Sequence, residues 1–297
     1  MKAKCALIVL AALLLNLNAS AQLKKRVAIS RFEDRSGSGF HSLGSGVADM
    51  LATALVKSGK FSVIERQELE RVIAEQKLGE SGLVTPQSAP KVGQLLGAEL
   101  FVIGAVTECG TKESNIGGGV SMFGGGLKTK KARTVVDIRL VNTTTGEVIA
   151  SEAEEGTEST TGVAVRYEAI DFNNQDSWDN TDIGKATREA VNGTVKLITE
   201  NMEKIPWSGK IIKVNDDGTV LMKPGSEGNV TTGMELFVMR KGEDIKDPDT
   251  GLSLGSEETK VGKIKTTEDM LKGKAMKATV IEGKDFKVGD IVHDKAK

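Results

Sequence analysis

Apolar positions along this chain follow one texture up to about residue 205 and another beyond it. "RVAISRF", residues 26–32, alternates and is bounded by a charged, glycine-rich stretch, which predicts a strand. The loop "FEDRSGSGFHSLGSG" follows. Val47, Met50, Leu51, Ala54 and Leu55 then recur at the spacing of one helix face, and Gly59 ends that helix. "FSVIE", residues 61–65, predicts a short strand. Leu69, Val72 and Ile73 line a helix from about Arg66 to Lys77. Ser88 caps a further helix, with Pro90 in its first turn and Gly97 at its end. "ELFVIGAVTE", residues 99–108, is mostly apolar, as expected for a strand in the middle of a covered sheet. The order β-α-β-α-α-β predicts an α/β sheet with helices packed on it.

The pattern then changes period. In "TVVDIRLV", residues 134–141, Val136, Ile138 and Leu140 share one face while Asp137 and Arg139 take the other. "NTTTGE" supplies a turn, and Glu147 to Ser151 begins the returning strand, so a hairpin is predicted. Val163, Val165, Tyr167 and Ala169 again share a face, while Arg166 and Glu168 point the other way, which predicts a strand. Residues 171–181 form a polar loop, and a helix from Ile183 to Met202 turns Ala186, Ala190, Thr194, Leu197 and Ile198 inward. Pro206 interrupts the chain. Beyond it, "GKIIKV-NDDG-TVLMK" is a hairpin signal, and "MELFVMR", "VGKIKTT", "KAMKATVIEG" and "FKVGDIVHD" add strands. The expected second unit, residues 206–297, is a small all-β domain of barrel or SH3-like type.

Composition narrows the function classes. Lys and Arg number 40 and Asp and Glu 41, a net charge of -1. That balance argues against nucleic acid, which needs a basic face. Met1 to Ala21 reads as a secretory leader: Lys2 and Lys4, then an apolar stretch Ala6 to Leu15, then Ala19-Ser20-Ala21 at the cleavage position. The apolar stretch falls short of the ~20 residues of a spanning helix. The chain is expected to be exported, with its mature part starting near Gln22. Cys5 lies before the apolar stretch rather than after it, so no lipid anchor is expected. Cys109 then has no partner for an intrachain disulfide and reads as a small buried hydrophobe.

Catalytic and cofactor chemistry finds little support. The "SGSGFHSLGSG" loop contains neither G-x-x-x-x-G-K-[ST] nor a full G-x-G-x-x-G. His41 and His293 are the only histidines, without a metal-ligand spacing or a nucleophile motif beside them. Glu152, Glu154, Glu155 and Glu158 read as an exposed charged strand rather than a glycosidase pair. No enzyme, cofactor or metal is expected.

Several blocks in order carry a family resemblance. "DMLATALVKSGKFSVIERQELERVIAEQKL", "KVGQLLGAELFVIGAVTE", "VVDIRLVNTTTGEVIASE" and "IGKATREAVNGTVKLI" together resemble the CsgG/HfaB family of curli secretion channels over about residues 26–204. The part from Trp207 resembles, weakly, the C-terminal domain of flagellar assembly protein T.

The resemblance implies an α/β domain over 22–205 with two extended β-hairpins, at about 111–134 and 152–172. It also implies a homo-oligomeric ring in the periplasm or at the outer membrane, whose hairpins share one transmembrane β-barrel and pass unfolded protein subunits. Lipid-facing positions on the hairpins are then Ile116, Val120, Met122, Val163, Val165 and Tyr167. The pore-narrowing loop falls at about Asp34 to Ser42, with Phe40 and His41 as its bulky residues. The outgoing strand "SEAEEGTEST" carries acid on both faces. This motivates a second expectation, a soluble periplasmic scaffold of the same fold. The all-β domain is expected to bind a partner or cell-wall component, or to pack against neighbouring subunits.

Overall fold

The computed structural model describes residues 22–75, 92, 95–116, 127–162, 180–246, 248 and 253–295. The first sheet is built around β1 (Lys25–Ile29), which pairs in parallel with β3 (Phe61–Val63) on one side and β4 (Leu100–Ile116) on the other. The chain continues antiparallel through β5 (Leu127–Asn142) and β6 (Val148–Gly162), giving the order β3-β1-β4-β5-β6. A two-residue strand, β2 (Glu33–Asp34), pairs with β4 at Ala105 and Val106, where the sequence pattern shows only a loop.

Helices cover both faces of this sheet. α1 (Leu43–Lys57) and α3 (Asp182–Met202) bury Leu43, Val47, Leu51, Leu55, Ala186, Ala190 and Ile198 against Val27, Val102, Val106, Val136, Ile138 and Leu140. α2 (Arg66–Glu75) and helical residues near Leu96 cover Ala28, Phe101 and Val141 on the other face. Burial on both faces explains the unbroken apolar run in β4. Alternation in β5 survives because Val136, Ile138 and Leu140 meet helices while Asp137 and Arg139 stay exposed. Cys109 is buried, with its Sγ 3.9 Å from Thr134 Oγ1, and burial pushes its thiol up to about 11.

The three antiparallel strands are longer than their apolar patterns. The β4–β5 ladder runs from Leu100↔Asn142 to Ile116↔Leu127, and the β5–β6 ladder from Val141↔Val148 to Lys128↔Gly162. The extra length is polar, so periodicity gives no sign of it.

Six further strands close on themselves in the order β10-β11-β8-β7-β12-β9. They are β7 (Ser208–Val214), β8 (Thr219–Lys223), β9 (Glu235–Lys246), β10 (Ser253–Met270), β11 (Ala275–Gly283) and β12 (Ile291–His293). Trp207, Ile211, Met222, Leu236, Val238, Ile264 and Val292 fill the interior. "FKVGDIVHD" contributes only its last part as strand: Val288 and Gly289 form a turn, and Gly289 takes a φ of 98°. The β9–β10 ladder runs out to Lys246↔Ser253, beyond the residues that pair with β12 and β11.

Candidate functional site

Among the described residues no deep pocket organises this molecule; its distinctive feature is the end of the β4–β5–β6 ribbon. Helix α3 holds the ribbon's base. Its N-cap is Thr181, whose Oγ1 accepts from Gly184 N–H at 2.9 Å. Gly156 of β6 lies so close to α3 that a methyl group there would overlap the carbonyl oxygen of Ala186. Thr187 donates to Ile183 O at 2.8 Å, so its oxygen is left to accept from Thr134 Oγ1 at 2.9 Å, tying helix to strand. Nearer the tip, Thr160 donates to Asp182 Oδ1 at 2.9 Å and Lys185 to Glu158 Oε1 at 3.3 Å.

The buried layer ends near Ala132. Beyond it β5 continues to Leu127 and β4 to Ile116, roughly 15 Å of ribbon at the usual rise of a strand. Thr111, Lys112, Glu113 and Lys131 there are exposed. Among the described residues, β6 pairs only with β5, and β4 past Val106 pairs only with β5. Among the described residues neither edge of the ribbon is therefore covered by a further strand, although Thr157 N–H on β6 donates to Glu189 Oε2 of α3 at 2.7 Å.

The carboxylate run on β6 is divided between the two faces. Glu155 faces away from α3 and receives a bidentate pair from Arg133, Nε to Oε1 at 2.8 Å and Nη2 to Oε2 at 3.0 Å. Arg133 also bonds Glu108 on β4, so one guanidinium links all three strands. Glu154 faces α3 beside Gly193; burial and then the Glu152 charge hold its carboxyl above the usual range. An open crevice of about 470 Å³ lies on the outer side, lined by Ser36, Glu108, Lys112, Lys131 and Arg133.

The loop between β2 and α1 folds on its own side chains. Asp34 Oδ1 accepts from Ser36 N–H at 3.0 Å and Ser36 Oγ at 2.7 Å, while Arg35 N–H donates to Val106 O at 2.8 Å. Phe40 is half-buried against the sheet core, and His41 is exposed in the turn before α1. Ile116 is the last residue of β4. Val120, Met122, Val163, Val165 and Tyr167 lie outside the described residues, as do 117–126 of the first expected hairpin and 163–172 of the second. Among the described residues no group of three or more His, Cys, Asp or Glu is arranged to hold a metal, and no helix is long and apolar enough to cross a membrane.

Sequence reasoning missed a second constellation, where the two sheets meet. Glu99, buried at the start of β4, accepts from Arg26 N–H at 2.5 Å through Oε2. Its Oε1 accepts from Ser208 N–H at 3.1 Å and Ser208 Oγ at 3.3 Å. Lys25 Nζ donates to the carbonyls of Met202 and Ile205. Leu23 packs on the barrel core, Lys24 N–H donates to Gly228 O at 2.9 Å, and Asn229 Nδ2 donates to Gln22 O at 2.9 Å. The one sequence signal was an acid at the head of an apolar run; its partners lie far along the chain.

This geometry describes a protein that extends strands from a packed core. The family model for the curli production assembly/transport component CsgG matches residues 10–223, and the chain belongs to that family, a family of transport components. The match continues past the expected limit near 204 and takes in the β7–β8 hairpin, ending at Lys223. Curated relatives include the curli production assembly/transport component CsgG of Salmonella typhimurium strain LT2 and that of Escherichia coli strain K12. Each is 32% identical over 108 residues, covering 34% of this chain and 39% of theirs. The chain thus matches about two-fifths of the length of these relatives. Among solved structures, the hypothetical protein CT253 from Chlamydia trachomatis is similar with a TM-score of 0.40 and 18% identity, over 59% of this chain and 95% of that one.

Proposed function

We propose that this chain is an exported, outer-membrane-associated secretion channel component that passes curli-type or other unfolded protein subunits. The observation that carries the reading is the β4–β5–β6 ribbon, which leaves the helix-covered core with no further strand along β6 or along β4 past Val106 among the described residues. Unpaired edges in a long ribbon invite pairing with further strands, and closure into a barrel removes them. In this reading residues 1–21 are a cleaved leader, 22–205 form the subunit body and 206–297 a separate SH3-like unit. Copies assemble into a ring, and Ile116, Val120, Met122, Val163, Val165 and Tyr167 meet lipid. Phe40 and His41 belong to the loop that narrows the passage. Reconstitution of the mature protein in planar bilayers tests it: discrete conductance, with rings in detergent, is expected. A chain that neither conducts nor forms rings removes the channel.

A specific observation favours a second reading, a periplasmic scaffold without a pore. The described end of the ribbon is polar on both faces, with Thr111 and Glu113 on one side and Lys112 and Lys131 on the other. This reading predicts release of the protein by osmotic shock without detergent. Recovery from the outer-membrane fraction alone rejects it.

A further inference from the structure

Gln22 is held against the barrel. Its carbonyl oxygen accepts from Asn229, the next side chain is seated on the barrel core, and the next N–H but one is bonded to Gly228. Residue 22 itself is exposed. It lines a small crevice with Lys25, Lys60, Thr199 and Glu203. Lys25 is fixed there by its bonds to the end of α3 and to Ile205. If the leader is removed as proposed above, an α-amino group forms at Gln22. Protonated, it adds a further cation to a crevice that holds Lys25 and Lys60 with Glu203 among its described lining residues, Glu99 and Asp294 also acting on the Lys25 charge. The free amine is the nucleophile, and an α-amino group, with its ordinary value of about 8, supplies a share of that form at neutral pH.

We propose that the mature N-terminus is a modification site, at which Gln22 closes on itself to a pyroglutamyl residue; this rests on the cleaved-leader reading. The α-nitrogen attacks the side-chain carboxamide carbon of the same residue. A nitrogen–carbon bond forms, the bond from that carbon to the amide nitrogen breaks, and the proton lost from the amine leaves with it as ammonia. No oxidant, reductant or second substrate is consumed. The ring uses only the α-nitrogen and the side chain, so the carbonyl that binds Asn229 and the seat of Leu23 are untouched. Closure removes the α-amino charge and leaves no primary amine for an aminopeptidase.

The test is intact mass and stepwise N-terminal degradation of the full chain, recovered from the envelope of cells that produce it natively. Expected is a chain beginning at residue 22, lighter by one ammonia than the open form and blocked to degradation. The Gln22→Ala variant in the same cells lacks the carboxamide; it is expected at its unmodified mass and open to degradation from its first residue. A wild-type chain that begins at Gln22 with its full mass and a free amine overturns the ring closure and leaves the leader reading standing. A chain that retains residues 1–21, or is cut elsewhere, overturns both. A blocked Gln22→Ala chain also removes the assignment, because the block then has another origin.

Discussion

Glu99 is the residue on which the junction between the two sheets turns. Burial pushes its carboxyl up to about 7, while the N–H groups of Arg26 and Ser208 and the Arg26 charge pull the other way. Charged neighbours include Lys25, itself held below the usual lysine range, first by burial. The sign follows from linkage: an acid whose folded pKa exceeds its ordinary 4.5 binds its proton more tightly when folded. Its contribution to stability is therefore full below the unfolded value, falls as pH rises from 4.5 toward 7, and is flat above that. Thermal melts of wild type and Glu99→Gln across this range should show the wild type losing ground to the variant with rising pH. Parallel curves would remove Glu99 as the titrating group. Glu99→Ala leaves the N–H groups of Arg26 and Ser208 without their acceptor and should cost about 2 kcal/mol near pH 4.5, a difference that narrows as pH rises toward 7. None of this was legible beforehand: Ser208 lies 109 positions from Glu99, and only the fold brings them together.

At the scale of elements, legibility tracked burial on one face. The alternation at 134–141 could be read because one side of β5 rests on helices; in the lysine-rich stretch before Arg133 of the same strand, Ala132 alone is buried among residues 129–132, too little to show a period. The inward residues of α3 were equally plain, since Ala186, Ala190, Leu197 and Ile198 fall at helical spacing on one buried face. A two-residue strand such as β2 is too short to carry a period. The small residue that lets α3 approach β6 was not singled out, because a lone glycine in "EEGTE" looks like any other. Gly156→Val tests its role. A branched side chain there collides with the α3 backbone at Ala186 and Ala190 and forces helix and ribbon apart. Overpacking of this kind costs about 3 kcal/mol when backbone must move, so the midpoint of urea unfolding should fall. Amide exchange should quicken together in α3 and at the base of the ribbon. An unchanged midpoint would mean that the helix is not seated on Gly156. Thr181→Ala, removing the bond to Gly184 N–H, should cost about 1 kcal/mol with no effect on the ribbon's register.

The molecule as a whole contains two apolar interiors, one under α1 and α3 and one inside the closed barrel. What joins them is a short strap, residues 22–26, together with the contacts of Glu99 at Ser208 and the bonds of Lys25 to the end of α3. Leu23 is the strap's apolar anchor, half-buried against the barrel interior, while the chain just beyond it enters β1 of the sheet. Unfolding either body must therefore strain the other through the strap, and a single thermal transition is expected for the wild type. Leu23→Asp places a carboxylate against the apolar residues of the barrel, where an unpaired charge is costly. The strap should lift from the barrel while both interiors keep their own side chains. Calorimetry should then resolve two transitions, the one belonging to the barrel lowered more than the other. A variant that still melts in one unshifted step would mean that the strap does not couple the bodies, and that the Glu99 contacts carry the junction alone.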